Sequence, residues 1–332
     1  MSKLNTTLRR FSNKYKTILV TGGAGAIGSD LVCHLLSAKV KKVIIIDDLS
    51  PGYKSNVPND KRIVFIKGDI TDSHAVNRVF EKHGKIDVVY HLAAHFANQN
   101  SIEHPVRDLE SNGVGTINLL EASVKNGVKK FIYFSTSCIY TTKNQRLTES
   151  DLDLQFDTPY AVSKYIGEKY VYFYHYFYNL PVVTLRIFNS FGPGERPGLY
   201  RNVIPNFFYK AMLRKSLVIT GTGRETRNFT FVDDIVRGAL LAALSPKAIG
   251  CTINLGSNQS VPIKKLAEAV NELTGNKKEI IYKPRRKWDH STSRRGSLEL
   301  AEDLLGFKAE IPFEIGLAKT YRFFHSRFKK RS

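Results

Sequence analysis

A β-branched run, Lys16-Thr-Ile-Leu-Val-Thr21, passes directly into Gly22-Gly-Ala-Gly25-Ala26-Ile27-Gly28, and a helical stretch from about Ala26 to Ala38 follows. A strand, a glycine turn and a helix in that order predict a buried parallel strand whose carboxyl end meets a helix N-terminus. The G-x-x-G-x-x-G spacing differs from the commoner G-x-G-x-x-G. It serves the same ends: a tight turn, close approach of backbone to a pyrophosphate, and an anion at the helix N-terminus. Taken alone, the run could be an ordinary glycine-rich turn. The next strand, Val43-Ile-Ile-Ile-Asp47, ends in an acid 19 residues beyond Gly28. A carboxylate there takes ribose hydroxyls and repels a 2′-phosphate, which favours NAD over NADP.

Further strands are expected at Ile63–Ile66, Ile86–Ala94, Lys130–Ser137 and Val182–Ile187, with helices between them at Val114–Lys125 and Ala161–Tyr178. Such alternation specifies an α/β fold, a Rossmann-like doubly wound parallel sheet, with ligand across the carboxyl ends of its strands. The expected organisation is a basic N-terminal extension (1–15), an NAD-binding core carrying the catalytic residues (16–189), and a smaller C-terminal α/β lobe (190–325). Segment 231–260 of that lobe returns to the core, and a basic tail (326–332) closes the chain. Asp69, after the third strand, either bonds the adenine amine or caps the following helix.

The 332 residues, 42% of them apolar, suffice for such a core. Cys33, Cys138 and Cys251 form no Cys-x-x-Cys pair, which fits a reducing compartment and gives neither a disulfide framework nor a metal site. No apolar run reaches membrane-span length, and no signal-peptide core opens the chain, so a soluble cytoplasmic protein is expected. The net charge of +20 is concentrated at the two ends and in Lys283-Pro-Arg285-Arg286-Lys287 with Arg294 and Arg295. No nucleic-acid-binding motif accompanies it, so specific nucleic-acid binding is not expected. The basic ends suit solubility or loose attraction to anionic surfaces.

Pro159-Tyr160-Ala-Val-Ser-Lys164 places a phenol and an ammonium one helical turn apart. Beside a nicotinamide, such a pair can move the proton of an alcohol: Tyr160 as base, Lys164 stabilising the phenolate and holding the nicotinamide ribose. Thr136, at the end of the fifth strand, offers a hydroxyl to the same alcohol or carbonyl. Beyond Glu168 the helix reads Lys-Tyr-Val-Tyr-Phe-Tyr-His-Tyr-Phe-Tyr. Aromatic residues on nearly every side suggest burial of helix 161–178 in a homodimer interface, or else beneath the chain's own C-terminal lobe.

With TGGAGAIGS, GDITD, HLAA, ESNGVGT, FSTSCIY, PYAVSK, RIFNSFGPG, GRETRNFTFVDD and INLGSN in this order, the chain resembles the extended short-chain dehydrogenases/reductases. Within them it is most similar to the NAD-dependent sugar-nucleotide epimerase/dehydratase family, UDP-glucose 4-epimerase branch, over about residues 16–325. The resemblance implies tightly bound NAD, with Gly22, Gly25, Ala26, Ile27 and Gly28 at the pyrophosphate and Asp47 and Asp48 at the adenosine ribose. It puts Asp69 and Ile70 at adenine, and Leu92, Ala93 and Ala94 along the cofactor. Asn112 is implied as the buried Asn that holds the active-site helix, and Thr136, Tyr160 and Lys164 as the catalytic trio. A UDP-sugar would be held by Thr136, Asn189, Asn202, Arg227, Arg286 and Asp289, with Ser293 bounding the sugar pocket or serving only as a loop residue.

Family dehydratases and decarboxylases commonly place an acid after the strand-end hydroxyl, whereas Thr136 precedes Ser137-Cys138. The implied reaction is therefore inversion at C4 of a UDP-hexose or UDP-N-acetylhexosamine through a 4-keto intermediate. A dehydratase, decarboxylase, 3,5-epimerase or 4-keto reductase is the alternative, and a non-catalytic nucleotide-sensing scaffold is another of a different class. Two segments depart from the branch pattern: Phe96 stands where many galactose epimerases have Lys, and Trp288-Asp289 replaces the common Gly-Asp.

Overall fold

A computed structural model describes residues 3–141, 146–289 and 293–328; His290 and the tail residues Lys329, Lys330 and Arg331 lie outside the described residues. Seven strands form one parallel sheet: β1 (Thr17–Thr21), β2 (Lys42–Asp47), β3 (Ile63–Lys67), β4 (Val88–His91), β5 (Lys130–Thr136), β6 (Val182–Ile187) and β7 (Thr252–Leu255). Their spatial order is β7-β6-β5-β4-β1-β2-β3. All seven residues of β5 are buried, as expected for a central strand covered on both faces. The order reverses between β1 and β4, paired from Ile18–Val88 to Thr21–His91, and this is where a doubly wound sheet opens a crevice.

The N-terminal residues do more than carry charge. They form helix α1 (Lys3–Lys14), whose Leu8 and Phe11 are buried, with Tyr15 just beyond. The Tyr15 hydroxyl donates to the Ala243 carbonyl at 2.9 Å, fixing the end of α1 to the helix Val232–Leu244. Burial of each such side chain stabilises by roughly 1.5–3 kcal/mol.

The helix Pro159–Tyr178 starts from Thr158, whose hydroxyl accepts the Ala161 N–H at 3.4 Å, and has Pro159 in its first turn. It presses so closely on β5 that a Cβ at Gly167 would stand 2.1 Å from the Tyr133 hydroxyl. Its buried face carries Tyr160, Ser163, Lys164, Val171 and Tyr174. The opposite face exposes Tyr170, Phe173, Tyr176 and Phe177, Tyr176 at 75%. The chain's own lobe leaves these rings uncovered.

The lobe is assembled from distant segments. A four-stranded sheet runs Val261–Pro262, Thr226–Arg227, Ser293–Gly296, Arg146–Leu147. Leu217–Thr220 pairs in parallel with Ile280–Lys283. One apolar cluster passes without a break from Leu8 and Phe11 through the sheet to Phe313 and Phe324 of the last helix. No helix among the described residues is long and apolar enough to cross a membrane.

Candidate active site

The glycine turn is shaped by contacts that leave no room for side chains. Gly22 has φ +71°, and a Cβ there would meet the Ala93 nitrogen at 2.7 Å; one at Gly28 would meet the Gly22 carbonyl oxygen at 2.2 Å. Gly25 caps the helix Ala26–Ser37 without a side-chain bond, so the helix presents bare N–H groups to the crevice. Ala26 and Ile27 form its first turn. Across the turn, Leu92, Ala93 and Ala94 follow β4, and the Ala93 N–H donates to Thr21 Oγ1 at 3.1 Å.

Asp47 accepts the Ala24 N–H at 2.8 Å and the Leu49 N–H at 2.9 Å. Burial pushes its carboxyl up, against the two backbone donors that pull it down. The carboxylate thus braces the cradle from the end of β2 and retains lone pairs for ribose hydroxyls. Asp48 and Asp69, just beyond the ends of β2 and β3, are joined by Arg107 at 3.5 and 3.2 Å. Ile70 is buried against Gly115, and its carbonyl accepts from Asn118 at 2.9 Å. A cradle that Cβ atoms would fill, a bare helix terminus and a braced carboxylate at the next strand fit a dinucleotide.

At the end of β5, Thr136 accepts the Cys138 N–H at 3.1 Å. Tyr160 is 8% exposed and Lys164 2%. Burial raises the Tyr160 phenol far above its ordinary value, Cys138 and Asp108 adding to it, while the Thr136 hydroxyl beside it works the other way. Burial pulls the Lys164 ammonium down to about 7 against the carboxylates of Glu168 and Asp108. The Lys164 Nζ lies 4.2 Å from the centre of the Tyr133 ring. The pair is held out of water, where charge on one group strongly governs the other.

A buried network, only partly legible in the sequence, fixes this helix. Asn112 lies in a π-helical turn, Glu110–Val114, a distortion frequent at functional sites. Its amide donates to the His95 carbonyl at 3.1 Å, to Asp108 Oδ1 at 3.2 Å and to Ser163 Oγ at 3.0 Å, and accepts the His95 N–H at 2.9 Å. Ser163 also donates to Asp108 Oδ2. Ser101 Oγ accepts the Tyr160 N–H at 3.0 Å. Asp108, Ser101 and Ser163 carry no joint signal in the sequence, because 55 residues separate Asp108 from Ser163, although Ser163 stands inside the Tyr–Lys motif. Glu168 holds Arg186 through two bonds, 3.0 and 2.8 Å, tying the same helix to β6.

The expected substrate residues divide. Asn189 has φ +33° and a buried Nδ2 without a partner among the described residues, a strained backbone and a free donor at the strand ends. Arg227 Nη2 lies 3.5 Å from Asp289 Oδ1, and Arg286 lies over the Trp288 ring at 5.5 Å. Trp288 Nε1 donates to Gln99 Oε1 at 2.6 Å, linking the arginine loop to the segment after β4; Phe96 of that segment meets the Tyr160 ring edge-on at 6.5 Å. Asn202 is exposed and caps the helix Val203–Met212. Ser293 Oγ accepts from Thr226 Oγ1 at 3.1 Å, on the strand face opposite its neighbour Arg294.

A dinucleotide cradle facing a buried Tyr–Lys pair across a parallel sheet defines a nicotinamide-dependent enzyme working on an alcohol or carbonyl. Residues 18–256 match the model of the NAD dependent epimerase/dehydratase family. The UDP-glucose 4-epimerase of Mycolicibacterium smegmatis is 33% identical over 93% of this chain and 98% of that protein. An epimerase structure from Methanothermobacter thermautotrophicus superposes with TM-score 0.95 at 43% identity, covering 99% and 98% of the two chains. A Thermotoga maritima UDP-glucose 4-epimerase with UDP-glucose gives 0.88 at 32% identity, covering 94% and 99%. The chain belongs to this family of NAD-dependent, sugar-nucleotide-modifying enzymes, and NAD is bound in related structures. Reactions differ among relatives, which include a UDP-N-acetyl-α-D-glucosaminuronate decarboxylase of Bacillus cytotoxicus and a dTDP-D-glucose 4,6-dehydratase of Dictyostelium discoideum.

Proposed function

We propose that the protein inverts C4 of a UDP-hexose or UDP-N-acetylhexosamine through a transient 4-keto sugar. One observation carries this choice of reaction: Thr136 is followed by Ser137-Cys138, so the group beside Tyr160 is a thiol, where an elimination or decarboxylation would call for a carboxyl. Thr136 orients the C4 hydroxyl, and Tyr160 takes its proton while Lys164 stabilises the phenolate and holds the adjoining ribose. Bound NAD supplies reversible hydride chemistry at that carbon. Asn189 holds the sugar, while Arg227 and Arg286 bind the diphosphate and Asp289 the uridine ribose; bidentate guanidinium suits that anion. After the 4-keto sugar turns to present its opposite face, Tyr160 returns the proton to the oxygen on C4.

Chromatography of products from a panel of nucleotide sugars tests this reading. The expected product is the C4 epimer, with no net change in nicotinamide absorbance and, in heavy water, no deuterium on carbon. Deuterium on carbon would favour elimination or an enolising 3,5-epimerase; stoichiometric consumption of reduced cofactor would mean a reductase.

The proposed working unit is a homodimer joined through the aromatic face of the helix Pro159–Tyr178, where Tyr170, Phe173, Tyr176 and Phe177 are exposed. Phe177→Glu is expected to halve the mass measured by sedimentation; an unchanged mass would remove this face from the interface.

A further inference from the structure

Arg227 and Arg294 are paired in register on adjacent parallel strands, and their side chains leave the same face. Like charges placed opposite each other in a sheet repel. The Arg227 guanidinium is accordingly drawn below its ordinary value, by burial first and by Arg294 next, with Asp289 opposing. Arg227 has that acid at 3.5 Å. Arg294 has no acid among the described residues. Its Nη1 donates to Cys138 Sγ at 3.3 Å, a weak acceptor, and its Nε is buried without a partner among the described residues.

The position of the thiol decides what Arg294 faces. The Cys138 N–H is bonded to Thr136 Oγ1, and its sulfur is close enough to Tyr160 to raise the phenol. Arg294 therefore reaches from the lobe to the reacting centre, beyond the Arg227–Asp289 end of the site. With a neutral sugar bound, that guanidinium would remain on sulfur with a buried donor unmatched, which is costly. A carboxylate would offer it two parallel charge-assisted bonds.

We propose that Arg294 reads a carboxylate on the sugar, so that the favoured substrates are nucleotide-linked acidic sugars of the uronate type. This rests on the reading of the site as that of a nucleotide-sugar epimerase. It makes Arg294 the residue that sets specificity, at a position one removed from Ser293.

The chain has a single tryptophan, Trp288, in the arginine loop, so its fluorescence can report binding whatever the reaction. Titrations with UDP, UDP-glucose and UDP-glucuronate would be compared for the wild type, Arg294→Gln and Arg294→Lys. The wild type is expected to bind UDP-glucuronate more tightly than UDP-glucose. Arg294→Gln should lower that affinity ratio by at least about tenfold, and Arg294→Lys should restore part of it. A ratio unchanged in Arg294→Gln overturns the proposal, as does a wild type that fails to bind UDP-glucuronate. A loss shared equally by UDP alone also overturns it, by making Arg294 a diphosphate ligand. Product analysis of the same proteins separates the two readings: a preserved shift in ratio without any C4 epimer would sink the epimerase and leave the carboxylate reader standing.

Discussion

The proposed cofactor side and the proposed substrate side of the crevice are built by opposite means. The cofactor side is mostly backbone: the Gly22–Gly28 turn, the helix terminus at Ala26 and the Ala93 N–H lie within contact of one another, with Asp47 bracing them. The substrate side is mostly long side chains. Arg227, Arg286, Asp289 and Arg294 come from the lobe, where Trp288 bonds Gln99 and Arg294 bonds Cys138 of the core. Backbone cradles arise from local sequence and tolerate almost no added atom. Side-chain clusters can change ligand by exchanging one residue, which suits a family whose members share NAD and differ in sugar.

The sharpest way to break this comparison is Gly28→Ala. Its Cβ would fall 2.2 Å from a carbonyl oxygen that belongs to the turn itself, so the protein is expected to lose NAD retention altogether or fail to accumulate. Full cofactor content, measured after denaturing release, would show the cradle to be more yielding than its contacts suggest.

Tyr160→Phe lies at the junction of the two sides. It should keep the fold and NAD while lowering turnover at least about 10²-fold. Near-normal turnover would remove Tyr160 from the proton transfer.

The smallest of the three effects concerns stability. Lys164 titrates near 7 in the folded protein against an ordinary 10.5, so between these values the unfolded chain binds more protons than the native one. Its contribution therefore makes stability rise with pH across that window and fall as pH drops towards 7. Lys164→Met should flatten this slope in urea titrations at several pH values; an identical slope in both proteins would show that the ammonium is not held out of water.

The same contrast explains what could be read in advance. The parallel sheet, the glycine turn and the Tyr160–Lys164 pair follow from patterns within a few residues, and the structure places them together. In helix α1 the charges Arg9, Arg10 and Lys14 mask the helical spacing of Leu4, Leu8, Phe11 and Tyr15, a stripe buried at its last three positions. Strand alternation separated Ser293 from Arg294, and one residue of register in a short lobe strand cannot be fixed by a motif several positions away. The Asp108–Asn112–Ser163 network depends on a π-helical turn, for which the sequence carries no local signature.

The apolar cluster that joins α1, the sheet and the last helix bears on how the molecule comes apart. Leu8 and Phe324 belong to the same packed mass, within which Phe191, Phe229 and Phe313 pack ring against ring. Division of labour between cofactor and sugar is thus not a division of the core: one apolar mass underlies both. A fragment cut near residue 189 to isolate the nucleotide-binding half would carry half of a core, with rings meant for the lobe left in water.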